Sequence, residues 1–149
     1  MHTQIEIEQP VRPIVFKDFA HAPSKVAATT NAVKKQFERK DLVAVLELHT
    51  FSSLTKEFLN QYKDSMSGVE FPIVYFNPET IKHKNLKEIS EKDIIDAFNH
   101  KGLKVYTDNT KLADYLTNVD WNNKNLLFMS SGNFGGMDIK KLAKVIVED

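Results

Sequence analysis

Five short apolar runs recur along the chain, and segments with the apolar spacing of amphipathic helices separate them. This alternation is typical of an α/β protein, in which helices connect parallel strands. It predicts one α/β domain with a mostly parallel sheet of five or six strands. The predicted strands are Ile14–Phe16, Leu42–Leu46, Ile73–Phe76, Lys104–Tyr106 and Leu126–Met129.

The intervening segments show helix signals of different strength. Leu54, Phe58 and Tyr62 share one helix face, and Ser90 with Asp93 resembles a capping box. Gly102 is expected to end the helix that follows that box. The stretch 77–86 is rich in lysine and histidine and is predicted to be a loop, while Asp108 or Asn109 is predicted to cap the next helix.

Composition narrows the possible partners and compartment. Twenty basic and twenty acidic side chains cancel, so we expect no nucleic-acid or membrane partner. The absence of cysteine excludes disulfides, thiolate metal sites and a cysteine nucleophile. No apolar run approaches the roughly 20 residues that span a bilayer. We therefore expect a soluble, cytoplasmic protein.

The first candidate site follows the first strand. Asp18 ends the apolar run, His21 follows three residues later, and Pro23 suits the first turn of a helix. In parallel α/β sheets, ligands bind beyond the carboxyl ends of the strands, which is where Asp18 and His21 fall. Asp18 either binds a ligand or is a carboxylate that stabilises the helix N-terminus, and His21 is either a contact or a surface histidine.

The second candidate site is the segment Ser130–Gly136, which contains three of the five glycines. Glycines after a buried strand allow positive φ angles and close approach of the backbone to a ligand. Such a loop either cradles an anion or makes a tight turn. It matches neither the dinucleotide-binding pattern nor the P-loop, so dinucleotide binding is not supported.

Both candidate sites resemble motifs of the Mur ligases. Lys17–Pro23 resembles the signature D-[DY]-[FY]-A-H-x-P that opens their C-terminal domain. Met129–Gly136 resembles the M-S-N-G-x-F-G-G loop of one branch, the murein tripeptide ligases. The resemblance covers Pro13–Asp149 and implies a three-layer, Rossmann-like C-terminal domain, with residues 1–12 as the remnant of an interdomain linker.

The resemblance also implies a function. Mur ligases use ATP to join amino acids or peptides to UDP-N-acetylmuramate in peptidoglycan synthesis or recycling. Their P-loop and Mg²⁺ ligands lie in a central domain, so this domain alone is expected to be inactive. The matching aspartate contacts the ribose of ATP, which assigns Asp18 to nucleotide binding together with His21.

The substrate side departs from the family pattern. Arginines that hold the substrate carboxylate are expected after the second strand, where Thr50 and Ser53 stand instead, and the two arginines of the chain lie elsewhere. Lys56 is the nearest cation and is predicted to share one anion site with the glycine loop. An ordinary capped turn is the structural alternative. The predicted substrate-binding residues are His49, Thr50, Ser53, Lys56, Ser131, Gly132 and Asn133.

A rival interpretation is a stand-alone α/β module that binds a small ligand or regulates a partner, with Asp18 and the glycine loop purely structural. No metal-ligand spacing is visible in the sequence. A hydrolase triad of Ser52, His49 and Asp18 is rejected because no G-x-S-x-G elbow supports it.

Overall fold

Five strands form one sheet in the structure, a computed structural model that describes residues 12–50, 52–83 and 87–148. They are β1 (Val15–Asp18), β2 (Asp41–Glu47), β3 (Phe71–Tyr75), β4 (Lys104–Tyr106) and β5 (Lys124–Met129). Their spatial order is β1-β5-β2-β3-β4, and every pairing is parallel. The predicted fold class is confirmed. The predicted linker, apart from Arg12, lies outside the described residues.

Six helices flank the sheet in the described part of the chain. They are α1 (Pro23–Gln36), α2 (Lys56–Leu59), α3 (Pro78–His83), α4 (Glu91–Phe98), α5 (Asn109–Asn118) and α6 (Ile139–Glu148). Short 3₁₀ turns occupy Ser52–Leu54, Asn60–Tyr62 and Phe134–Gly136. None of the described helices is long and apolar enough to cross a membrane.

The central strand β2 is buried on both faces, which is why its sequence is continuously apolar. Leu42, Ala44 and Leu46 pack against α1, α2 and α4 on one face. Val43 and Val45 pack against α5 and α6 on the other. The molecule therefore has three layers, with two apolar cores separated by the sheet.

Several local predictions hold. Ser90 and Asp93 form the capping box of α4, with hydrogen bonds of 3.0 and 3.1 Å in the two directions. Asp108 caps α5 by accepting a hydrogen bond from the Thr110 amide at 2.8 Å.

Three others are wrong. The predicted helix over 54–62 is broken into α2 and two 3₁₀ turns, and Pro78–His83 is a helix rather than a loop. Helix α4 ends at Phe98 because Asn99 adopts the left-handed conformation, with φ of 54°, before Gly102 is reached.

Candidate functional site

Three segments meet at the carboxyl edge of the sheet because β1, β5 and β2 are neighbours. We call them the β1 turn (Asp18–Pro23), the β2 loop (residues 48–50, 52 and 53) and the glycine loop (Ser130–Gly136). The amide of Ser130 donates to the carbonyl of Asp18 at 3.1 Å, which joins the glycine loop to the β1 turn. The topology thus brings Asp18 and the glycine loop to one edge.

The β1 turn presents an exposed carboxylate. Oδ1 of Asp18 accepts a hydrogen bond from the amide of Ala20 at 2.7 Å. The N-cap of α1 is Ala22, and no side chain caps this helix. Asp18 therefore does not cap α1 through a hydrogen bond; it is an exposed residue at the end of β1 that supports the turn at Ala20, and its contact with a ligand stays a prediction.

His21 is fixed through its backbone. Its exposed ring contacts the carbonyl of Phe19 at 2.9 Å through Nδ1, while its own carbonyl accepts a hydrogen bond from the hydroxyl of Tyr62. Burial raises the pKa of Tyr62 to about 12, so this hydroxyl stays protonated and able to donate at neutral pH. Tyr62 stacks on Phe98 with ring centroids 5.0 Å apart, which anchors the β1 turn to the core.

The glycine loop is held from below by Glu47, the last residue of β2. Glu47 is 4% exposed, and its Oε1 accepts hydrogen bonds from the hydroxyl of Ser130 at 2.6 Å and from the amide of Phe134 at 2.9 Å. The Ser130 hydroxyl also accepts from the amide of Gly132 at 2.7 Å. Sequence reasoning missed Glu47, although an acidic residue at the end of a buried strand was the signal.

Further contacts fix the second half of the loop. The side chain of Asn133 accepts from the amide of Gly136 at 3.2 Å, and Asn109 of α5 donates to the carbonyls of Phe134 and Gly135 at 3.1 Å each. The amides of residues 132, 134 and 136 thus donate within the molecule. These three amides are therefore not available to bind an anion, as an anion-binding loop would require. Ser131 and Asn133 are the exposed polar side chains of the loop.

Tyr75 lies beneath the glycine loop at the end of β3. Its buried ring stacks with that of Phe134 at a centroid distance of 6.2 Å. Burial raises the pKa of Tyr75, and the negative charges of Glu47 and Asp108 raise it further. The hydroxyl is therefore neutral at physiological pH and belongs to the support of the loop.

The ring of His49, a predicted substrate-binding residue, lies next to Gly132 of the glycine loop. A Cβ atom at Gly132 would lie 2.8 Å from the His49 ring and 3.0 Å from Oε1 of Glu47. Only glycine fits at this position without displacement of a neighbour. His49 itself is exposed.

The hydroxyls of Thr50 and Ser53 serve the β2 loop itself. The Thr50 hydroxyl donates to the Ser53 hydroxyl at 2.9 Å, and the Ser53 hydroxyl donates to the Thr50 carbonyl at 2.9 Å. Ser53 is 2% exposed. These bonds close the turn after β2. The cap of the following helix is Thr55, which accepts from the Phe58 amide at 3.3 Å, rather than Ser52 or Ser53 as the capped-turn alternative expected. A substrate contact of the Thr50 or Ser53 hydroxyl stays a prediction.

Lys56 does not join the glycine loop in the contacts that the structure gives it. Its ammonium pairs with Asp93 of α4 at 3.5 Å. Helix α4 packs on one face of the sheet, whereas Phe134 of the loop packs on the other. The expected anion site shared by Lys56 and the loop is thus not formed. Hydrogen bonds from Ser90 lower the pKa of Asp93, and Lys56 lowers it further.

Cations and metal ligands are scarce at this edge. Arg39 lies in the turn before β2, at the opposite edge of the sheet, and Arg12 precedes β1. Within residues 12–50, 52–83 and 87–148, no group of three or more histidine, aspartate or glutamate side chains could hold a metal ion. The edge offers carboxylates, amides, hydroxyls and imidazoles instead.

Comparison with known proteins gives relatives of one kind. No family model matches the chain. UDP-N-acetylmuramate–L-alanine ligases from two strains of Streptococcus suis are each 26% identical over 120 residues, which is 80% of this chain. The match covers 26% of each relative, so the chain spans about a quarter of the length of these curated relatives.

Solved structures agree in fold. A domain described as part of a UDP-N-acetylmuramate:L-alanyl-γ-D-glutamyl-meso-diaminopimelate ligase from Haemophilus ducreyi aligns over 95% of this chain and 99% of its own, with a TM-score of 0.60 and 23% identity. The chain has the fold of these solved ligase domains. The predicted resemblance of the chain to Mur ligase domains is thereby confirmed.

Two longer ligases show the same domain within larger chains. A murein peptide ligase from Psychrobacter arcticus aligns with 97% of this chain and 30% of its own, with a TM-score of 0.64 and 19% identity. The UDP-N-acetylmuramate–alanine ligase of Thermotoga maritima aligns with 90% of this chain and 26% of its own, with a TM-score of 0.54 and 16% identity. In both, a Mur-type domain of this size makes up under a third of the solved chain.

Proposed function

We propose that this chain is the C-terminal domain of an ATP-dependent ligase that joins an amino acid or peptide to UDP-N-acetylmuramate, in peptidoglycan synthesis or recycling in the cytoplasm. The observation that carries the proposal is the meeting of Asp18, His49 and the glycine loop at one sheet edge. The fold of the solved relatives supports it.

The β1 turn is the nucleotide side of the proposed site. The Asp18 carboxylate uses one oxygen for the Ala20 amide and faces solvent, so it can accept hydrogen bonds from ribose hydroxyls. A carboxylate would repel the phosphates, which fits a ribose contact better than a phosphate contact. His21 lies in the same turn and is assigned to the nucleotide with Asp18.

The glycine loop and His49 form the proposed substrate side. Ser131 and Asn133 supply neutral polar groups, and Gly132 lets the backbone approach the His49 ring closely. Thr50, Ser53 and Lys56 stay candidate contacts at the border of this site. Recognition of the substrate then relies on neutral hydrogen bonds more than on arginine ion pairs.

Mg²⁺ and the triphosphate are assigned to a central domain. The 149 residues contain no P-loop motif, and the described residues contain no cluster of three metal ligands. We infer that the chain alone neither hydrolyses ATP nor ligates substrates. In the full ligase it would close over the central domain, complete the site and exclude water.

Replacement of Asp18 in the full-length ligase tests this function. Asp18→Asn keeps an oxygen for the Ala20 amide but loses the charge that strengthens the ribose contact. We expect the KM for ATP to rise about tenfold to a hundredfold, with little change in the unfolding midpoint. Asp114→Asn, an equal change on the exposed side of α5, is the control. An unchanged KM for ATP in Asp18→Asn contradicts the nucleotide assignment.

A further inference from the structure

Glu47 is the one acidic side chain among the buried polar residues of the described chain. It pairs with Tyr75 across the β2–β3 ladder, and none of the ion pairs in that part of the chain involves it. A buried carboxylate is costly unless hydrogen bonds compensate for its lost hydration. The hydrogen bonds that Glu47 accepts from Ser130 and Phe134 therefore explain why a carboxylate is tolerated at this buried position.

Those partners lie on both sides of the exposed part of the glycine loop. Ser130 precedes Ser131 and Asn133, and Phe134 follows them, and both donate to the same oxygen of Glu47. One carboxylate oxygen thus ties down a five-residue arc at its two ends. The exposed side chains of that arc project from a backbone that this oxygen fixes.

The backbone of the arc needs such support. Phe134 has a φ of 54°, a left-handed conformation that is rare for a bulky residue. The next two residues, Gly135 and Gly136, have φ angles of 68° and 87°. A conformation of this kind persists only where the surroundings hold it.

We propose that Glu47 is a positioning residue: its carboxylate sets the shape of the glycine loop in which Ser131 and Asn133 contact the incoming amino acid or peptide. The inference rests on the proposed function, since it needs the loop to bind substrate. The close packing of Gly132 against the His49 ring and Oε1 of Glu47 supports it, because the carboxylate lies directly against the backbone of the loop. Glu47 acts through the loop and does not itself touch substrate.

Amide hydrogen exchange of this chain tests the structural half of the inference. Glu47→Ala removes the acceptor, and exchange at the Phe134 amide should become at least about tenfold faster. The amide of Leu126, which donates to Ile14 in the β1–β5 ladder, should keep its exchange rate relative to global unfolding. Glu38→Ala removes an exposed glutamate at the opposite edge and is the matched control.

Two further variants keep the test decisive if Glu47→Ala fails to fold. Glu47→Gln retains an oxygen that can accept both bonds and should protect the Phe134 amide more than Glu47→Ala does. Ser130→Ala keeps the carboxylate but removes one end of the clamp, and it should raise exchange at Gly132 more than at Phe134. Unchanged exchange at Phe134 in Glu47→Ala overturns the inference; if that variant does not fold, unchanged exchange at Gly132 in Ser130→Ala overturns it.

Kinetics of the full-length ligase test the functional half. We expect Glu47→Ala to raise the KM for the incoming amino acid or peptide about tenfold to a hundredfold and Glu47→Gln to raise it less, while the KM for ATP changes less than about twofold in both. A merely structural role would lower the amount of active enzyme and leave both KM values unchanged. If the loop is released but both KM values hold, the positioning role and the substrate assignment of the loop both fail. The Asp18→Asn result then decides separately whether the nucleotide side of the proposed function stands.

Discussion

The β1 turn and the glycine loop are neighbours at the carboxyl edge, but they use their polar groups in opposite ways. In the β1 turn, one carboxylate oxygen of Asp18 accepts a hydrogen bond from the Ala20 amide, and the residue is exposed to solvent. In the glycine loop, the amides of Phe134 and Gly136 instead donate hydrogen bonds within the molecule, to Glu47 and to Asn133. The first region leaves polar groups exposed to solvent, and the second is a preformed support that leaves few exposed.

The phenylalanine side chains of the two regions differ in the same way in their exposure to solvent. Phe19 of the β1 turn is 76% exposed, whereas Phe134 of the glycine loop is 1% exposed. Yet each region is anchored by one buried side chain from another element, Tyr62 in the first case and Glu47 in the second. The two regions therefore share a rigid backbone and differ in what they leave outside it.

The largest effect is expected for Phe134→Ala. The ring stacks on Tyr75 and meets Phe128 edge to face at 5.4 Å, so its removal leaves a cavity in the core below α5 and α6. We expect a loss of about 3–5 kcal/mol in the free energy of unfolding, measured by urea denaturation. A loss below about 1 kcal/mol would show that the loop is not part of this core.

Gly135→Ala should have the next largest effect. Gly135 has a φ of 68°, and a Cβ atom there would lie 2.7 Å from the buried Tyr75 hydroxyl and 3.0 Å from Nδ2 of Asn109. Backbone strain and this contact together should cost about 1–3 kcal/mol in unfolding free energy. Gly68→Ala is the matched control, since a Cβ atom at Gly68 meets nothing within 4 Å. Equal midpoints for the two variants would contradict the strained turn.

Tyr62→Phe tests the support of the β1 turn. The change removes the hydroxyl that donates to the His21 carbonyl and keeps the ring that stacks on Phe98. Loss of this one hydrogen bond should cost about 0.5–1.5 kcal/mol in unfolding free energy. Tyr106→Phe is the control, because the structure gives the Tyr106 hydroxyl no hydrogen bond within the described residues. If Tyr62→Phe costs no more than Tyr106→Phe, the turn is held by other contacts.

The sequence predicted secondary structure best where burial of a strand or helix determines its pattern of apolar residues. Strand β2 is apolar throughout because both its faces are covered, and all five predicted strands are found with ends shifted by at most two residues. Helix α3 was missed because only Ile81 of its six residues is buried, so no helical apolar pattern exists to be read. Local sequence patterns thus predicted the strands and helices in which buried residues recur at a regular spacing.

The site was predictable only in part. The two motifs and the parallel topology were enough to place Asp18 and the glycine loop at one edge. The role of Glu47 was not readable, because its partner Ser130 lies 83 residues away and the bond depends on β2 and β5 being neighbours. Lys56 was assigned from sequence proximity, but its ion pair with Asp93 places it beside α4.

Phe19→Ala should have the smallest effect on folding, and it completes the comparison with Phe134→Ala. An exposed ring contributes little to the core, so the unfolding free energy should change by less than about 0.5 kcal/mol. The urea midpoint should then move by less than about 0.5 M, since slopes for small proteins are about 1–3 kcal/mol/M. The same substitution thus separates the two regions by several kcal/mol although they are joined by a hydrogen bond. A cost for Phe19→Ala above about 1.5 kcal/mol would mean that the β1 turn is packed like the glycine loop, and its exposed groups would then no longer mark it as the side that meets a ligand.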